Sequence, residues 1–238
     1  MPNATLAKIS TLASLVSLIS LSSILSTRPA QAAIINGGFD TGDFSGWTTL
    51  GDVSVQASLQ ALLKTENVND NFAELEQFLG LAPGALDTLG NGEVFEGSSI
   101  KQSFTANAGQ VLTFDWNFLT DETASNPDFN DFAFLTINNS LSELADTFST
   151  FSTSQTPFAR ETGFKTFSYT IPTTGTYTLG IGVVDVNDPG TNSGLLVDNV
   201  VLSTISTPIP EPNTVFSLLA FGACSVGYRL LRKQKTEA

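Results

Sequence analysis

The sequence predicts an all-β domain, a two-sheet β-sandwich with a short helical insertion, set between an N-terminal signal peptide and a C-terminal transmembrane helix. Three observations predict it. The segment VLTFDWNFL alternates, with Leu112, Phe114, Trp116 and Phe118 on one face and Val111, Thr113, Asp115, Asn117 and Leu119 on the other. Similar short runs of β-branched and aromatic residues recur between Gly, Asn, Asp and Pro punctuation. Finally, long apolar runs are confined to the two ends, leaving a middle of about 175 residues, enough for one domain with a sizeable core.

At the N-terminus, Lys8 precedes an apolar run threaded with serines, and Ala30-Gln31-Ala32 supplies the small-x-small site of signal peptidase. Residues 1–32 are therefore read as a signal peptide, and the mature chain begins near Ala33. Residues 33–206 form the predicted ectodomain. Besides the aromatic strand, residues 99–105, 131–137, 164–171, 176–186 and 195–203 read as strands, with Gly175 and Asp188-Pro189-Gly190 marking turns. Residues 71–80 depart from this pattern. Phe72, Leu75, Phe78 and Leu79 fall at helical spacing, Glu74 and Glu76 lie near the first turn, and Gly80 ends it. A second helical turn is expected over 83–89, and the excursion is expected to pack over one end of the sandwich. Trp116 and Trp47 are assigned to the core.

Residues 207–238 read as a membrane-stop and sorting device. Pro210-Glu211-Pro212 precedes an apolar run from Val215 to Tyr228, followed by Arg229, Arg232, Lys233 and Lys235. A helix from Asn213 to Tyr228 rises roughly 24 Å, just short of a hydrocarbon core of about 30 Å. Leu230 and Leu231 extend it if Arg229 snorkels, and the basic cluster sets the C-terminus on the cytoplasmic side. Cys224, the single cysteine, lies in this segment, so the ectodomain has no disulfide although it is exported.

Composition excludes several functions. Of 23 acidic residues only Glu211 and Glu237 lie outside the ectodomain, leaving 21 against Lys64, Lys101, Arg160 and Lys165, a net charge of −17. Nucleic acid and anionic membrane surfaces are repelled by such a charge, whereas divalent cations are attracted. The chain has no histidine, which removes Ser-His-Asp and Cys-His catalysis and histidine-ligated zinc or copper. A carboxylate pair of the glycosidase kind survives that exclusion.

The C-terminal tail resembles the PEP-CTERM sorting signal, through Pro210-Glu211-Pro212, the apolar run and the basic end. The resemblance implies cleavage near the motif by the membrane protease exosortase and transfer to the cell surface, typically in exopolysaccharide-producing bacteria. The opening motif Asn36-Gly37-Gly38-Phe39-Asp40 with Gly46-Trp47, and the closing Leu196-Val197-Asp198-Asn199-Val200, resemble jelly-roll domains related to carbohydrate-binding modules. That resemblance implies a jelly-roll sandwich whose first and last strands lie side by side, with a structural calcium shared by Asp40 and Asp198. The stretch from Gly97 to Val200 further resembles a group of exported PEP-CTERM proteins without a defined activity.

Two acidic clusters offer hard oxygens for calcium. Asp121, Glu122, Asp128, Asn130 and Asp131 gather in one loop, and Asp185, Asn187 and Asp188 in another; neither has EF-hand spacing. Asp115 and Asn117, on the polar face of the aromatic strand, are candidates for hydrogen bonds to sugar hydroxyls. The expected function is a non-catalytic, exosortase-sorted surface or matrix protein engaging extracellular polysaccharide with calcium support. A glycan-acting hydrolase using paired carboxylates and a purely structural self-assembling surface protein remain open alternatives.

Overall fold

The computed structural model describes residues 34–203 apart from Asn69, Gly90, Asp188 and Pro189. The predicted signal-cleavage residues Ala30, Ala32 and Ala33, the sorting motif Pro210-Glu211-Pro212 and the basic residues Arg229, Arg232, Lys233 and Lys235 lie outside them, as does the predicted membrane segment. Among the described residues no helix is long and apolar enough to cross a membrane.

In chain order the elements are β1 (Thr48–Leu50), β2 (Asp52–Val55), β3 (Ala61–Lys64), α1 (Phe72–Leu79), β4 (Val94–Ala106) and β5 (Val111–Thr120), followed by β6 (Phe132–Ile137), β7 (Ser140–Asp146), β8 (Ser152–Thr153) and β9 (Arg160–Glu161), and then β10 (Lys165–Thr170), β11 (Gly175–Val186) and β12 (Ser193–Leu202). They build two sheets. One runs β1-β4-β11-β6-β7, and the other runs β2-β3-β12-β5-β9-β8 with β10 also paired to β5. Successive long strands cross from one sheet to the other, which gives the jelly-roll sandwich. Every pairing between these strands is antiparallel.

The alternation read from the sequence holds. Leu112, Phe114, Trp116 and Phe118 of β5 are buried between the sheets against Ile100, Phe104, Leu179, Ile181 and Val183 of the other sheet. Trp47 is buried as expected, its ring 5.6 Å from Phe39, and its Nε1 donates to the Asn36 carbonyl. The opening segment forms no strand. It docks on the last strand backbone to backbone, with Val200 N–H donating to the Gly37 carbonyl at 2.9 Å. Gly37 is required there, because a Cβ would overlap the Val200 carbonyl.

The helical insertion forms where the spacing places it, but it does not close an end of the sandwich. Leu75 and Leu79 of α1, with Leu86 from the following turn, pack on the outer face of the five-stranded sheet against Val94, Phe132, Phe134, Val184 and Val186. The reason is that β6 and β11 are apolar on both faces, so the outer face also has to be covered. Gly80 ends the helix in the left-handed conformation, its N–H bonded to Gln77 and that of Leu81 to Glu76. Lys101 reaches up from β4 to the Phe78 carbonyl at the helix end. The preceding Asn71 does not cap the helix with its side chain. It turns instead onto β4, donating to the Gly97 carbonyl at 3.0 Å and accepting from the Gly97 N–H at 2.9 Å. A buried side-chain amide thus stands in for a neighbouring strand.

Replacing Asn71 by Ala leaves both Gly97 groups unpaired and is expected to lower the unfolding free energy by about 3 kcal/mol. Urea unfolding measures this, with native near-UV dichroism confirming that the sandwich persists.

Candidate functional site

The outer face of the seven-stranded sheet carries a groove of about 540 Å³. Leu62 from β3, Leu196 from β12 and Leu119 from β5 share one face by register and form its floor. Phe158, from the loop between β8 and β9, completes this apolar surface and lies over Gly194, where any side chain would displace its ring. The rim is polar, with Gln56, Lys64 and Glu66 on the β2–β3 side, and Asp121, Thr156 and Asn192 among the remaining lining residues. Lys64 is held by Asp52 at 3.1 Å and Glu66 at 2.7 Å, the two ion pairs found among the described residues. The groove therefore joins a nonpolar base to a ring of donors and acceptors.

A second constellation lies inside the same sandwich. Glu96 of β4 is the register partner of Asp185 of β11, and Asp131 directly precedes Phe132, the partner of Val184. Three carboxylates thus form a row across three adjacent strands, all buried. Asp131 accepts from Val186 N–H at 3.0 Å and from Ser193 Oγ at 2.7 Å. Asp185 is fully buried, and neither of its oxygens meets a donor. The facing row on the other sheet is Thr65, Ser193, Thr120 and Arg160, in which Ser193 Oγ lies 3.0 Å from Thr120 Oγ1 and Ser193 N–H donates to Thr65 Oγ1 at 3.0 Å.

Two carboxylates share no hydrogen bond while both are ionised. Burial first, and then the charge of Asp131, push the Asp185 carboxyl up to about 10, so a proton on Asp185 can be donated to Asp131. Burial also raises Asp131, to about 6, against the donors from Ser193, Asp185 and Val186. Glu96, which accepts from Asp70 N–H at 3.2 Å, is raised by burial as well.

The residues expected to bind part company here. In the loop after β5, Asp121 accepts from Ala159 N–H at 2.8 Å and lines the groove, and Glu122 donates its N–H to Thr120 Oγ1. Asp128 sits exposed in a turn capped by Asn126, while Asn130 is buried and bonded to Thr147 and Asp146. Asp131 turns into the space between the sheets, so the five residues are engaged by different partners. Asn117 is a correction. It lies on the predicted face yet is buried, donating to Glu161 at 3.1 Å and accepting from Thr162 at 3.3 Å, because residues 161–162 cover it. Asp115 accepts from Thr166 Oγ1 at 2.6 Å and from Asn199 Nδ2 at 3.0 Å, and it does not line the groove. Asp198 accepts from Asn199 N–H at 2.7 Å; burial raises its carboxyl, with smaller repulsions from Asp115 and Asp40. The structure thus brings Asp40 and Asp198 within electrostatic reach. Among the described residues no three Asp, Glu, His or Cys side chains are arranged to hold a metal ion. Sequence reasoning missed the groove and the meeting of Asp131 with Asp185; a buried-strand run carrying an acid, GVVDV, was the available signal for the latter.

No family model matches the chain, and no curated protein matches it. Solved structures to which the chain is similar include a family 61 carbohydrate-binding module in complex with β-1,4-galactotriose, at 14% identity and a TM-score of 0.38, over 72% of this chain and 97% of that one. A family 16 module is similar at 10% identity and a TM-score of 0.35, over 72% and 99%. A family 4 module is similar at 12% identity and a TM-score of 0.33, over 71% and 98%. At such distance no role passes from them to this chain.

The raised carboxyls set the pH dependence of the metal-free protein. Unfolded aspartate loses its proton near 3.9, so the stability of the protonated pair is full below that pH and is lost as pH rises through about 6 and toward about 10. The melting temperature of chelator-treated protein is expected to fall between pH 4 and pH 8, and Asp185→Asn to flatten that fall.

Proposed function

We propose that this chain is an exported, non-catalytic surface or matrix component whose outer-face groove binds extracellular polysaccharide. The observation that supports this reading is the groove's division into an apolar floor of Leu62, Leu119, Leu196 and Phe158 and a polar rim. A sugar ring has the same division, with C–H groups on its faces and hydroxyls around its edge. The volume of about 540 Å³ lies in the range of small-molecule sites. Among the described residues Phe158 is the only aromatic one lining it, so apolar contact and rim hydrogen bonds, rather than stacking on tryptophan, supply the affinity.

Exosortase sorting through Pro210-Glu211-Pro212, after signal peptidase cleavage near Ala33, belongs to the same proposal and is supported by the three-part order of the tail. Calcium support at Asp40 and Asp198 is supported by the chemistry of the donors. They are hard oxygens, and the charges acting on Asp198 come from Asp115 and Asp40. If bound there, the ion would brace the opening segment against β12, next to the docking of Gly37 on Val200.

Calorimetry of residues 33–207 against the producing cell's own polysaccharide, with calcium and then with chelator, tests this reading. Saturable binding is expected, weaker after chelation. Gln56→Ala and Asn192→Ala are each expected to weaken it roughly fivefold, about 1 kcal/mol per lost hydrogen bond, without lowering the melting temperature. No binding in either condition overturns the glycan reading in favour of a structural role. Turnover of the polysaccharide that is lost in Asp121→Asn with binding retained overturns the non-catalytic one.

A further inference from the structure

The carboxylate row between the sheets needs more than the hydrogen bonds it has. Glu96, Asp185 and Asp131 lie on three neighbouring strands, 3%, 0% and 1% exposed, and no ion pair among the described residues reaches them. Arg160, in the facing row, is turned over the Phe151 ring at 4.5 Å, and its Nε and Nη2 have no hydrogen-bond partner. Both oxygens of Asp131 already accept a hydrogen bond, from Val186 and Ser193. Asp185 in the middle of the row has none.

A proton answers only part of this. Held by Asp185 and donated to Asp131, it leaves only the Thr65 hydroxyl, short of full hydrogen-bond geometry, to face the buried Asp185 carboxyl, and Glu96 adds a further negative charge alongside. A cation faces both Asp185 oxygens at once and offsets the charge of the whole row. The oxygens opposite are also of the right kind, since Thr65, Thr120 and Ser193 bring hydroxyls from the other sheet. Carboxylate and hydroxyl oxygens without nitrogen or sulfur select a hard ion, and irregular oxygen shells suit calcium better than magnesium.

We propose that Asp185 and Asp131, with Glu96 beside them and the hydroxyls of Thr65, Thr120 and Ser193 opposite, form a buried site for a hard divalent cation of the calcium class that joins the two sheets. The site is separate from the groove and from Asp40 and Asp198, and it stands or falls independently of glycan binding. In this structure the Glu96 carboxylate faces Asp70 N–H, so the two aspartates are the primary ligands and Glu96 contributes charge.

The test uses the full chain, purified in mild detergent, stripped with chelator and returned to calcium chloride. Asp40→Asn with Asp198→Asn serves as the background, so that calcium held there is not counted. The expected result is one calcium per chain by elemental analysis, with a rise of several degrees in melting temperature on adding calcium. Adding Asp185→Asn should abolish both. The proposal is overturned if the background variant holds no calcium, or if Asp185→Asn binds it unchanged. Should Asp185→Asn fail to fold by near-UV dichroism, Ser193→Ala decides, because it keeps every carboxylate of the row. A calcium affinity about tenfold weaker supports the site, and an unchanged affinity overturns it.

Discussion

The constraint on which the rest of the structure depends is that β11 is covered on both faces. Its odd positions, from Tyr177 to Val183, face the other sheet, while Val184 and Val186 face outward and are equally buried. A strand paired to β4 over nearly its whole length and to β6 over its second half cannot leave that outward surface wet without a large apolar penalty. The insertion between β3 and β4 answers this, since α1 and the turn after it lay Leu75, Leu79 and Leu86 on the surface. Asn71 fastens the start of the helix to Gly97, and Glu76 fastens its sequel by accepting from the N–H groups of Gly84 and Leu86 at 2.7 and 3.0 Å.

The same double coverage explains the buried acids. Asp185 follows Val183 on the inward side of β11 and cannot reach water without breaking the ladder to β4. An acid in such a position is tolerated only with a proton or an ion to offset it. The outer face of the second sheet works under the opposite condition. Among the described residues it has no helix over it, and its apolar floor is only partly closed by the loop that carries Phe158, which leaves a surface open to a ligand.

How much of this was legible in the sequence follows from the range of each interaction. Strand faces and the helix were legible because they rest on spacing within ten residues, as in Leu112 to Phe118 and Phe72 to Leu79. Where the helix lies was not, because that depends on β11 being apolar on both sides, and the run GIGVVDV shows high hydrophobicity without saying what covers it. Asn117 was placed on the right face, but its burial comes from Glu161 and Thr162, more than forty residues later. Asp131 and Asp185 each looked like a loop ligand within a separate local cluster. Pairing of β6 with β11 brings the two together, and only topology could reveal that. The groove likewise assembles residues from β3, β5, β12 and the 154–159 loop, none adjacent in sequence.

The path of β12 has a mechanical meaning. Its first half, at Leu196, borders the groove together with Asn192 just before it, and its end, at Leu202, leads into the segment that continues toward the C-terminus. Along the way it is bonded on one side to β3 and on the other to β5. If the groove holds a polymer and the chain beyond residue 203 is anchored, as proposed above, a pull between the two would load the strand along its own axis. Such a load shears two ladders together instead of peeling one bond at a time, and it also draws on the Val200 to Gly37 contact. Under that proposal the domain would resist extraction by force more strongly than its equilibrium stability alone suggests.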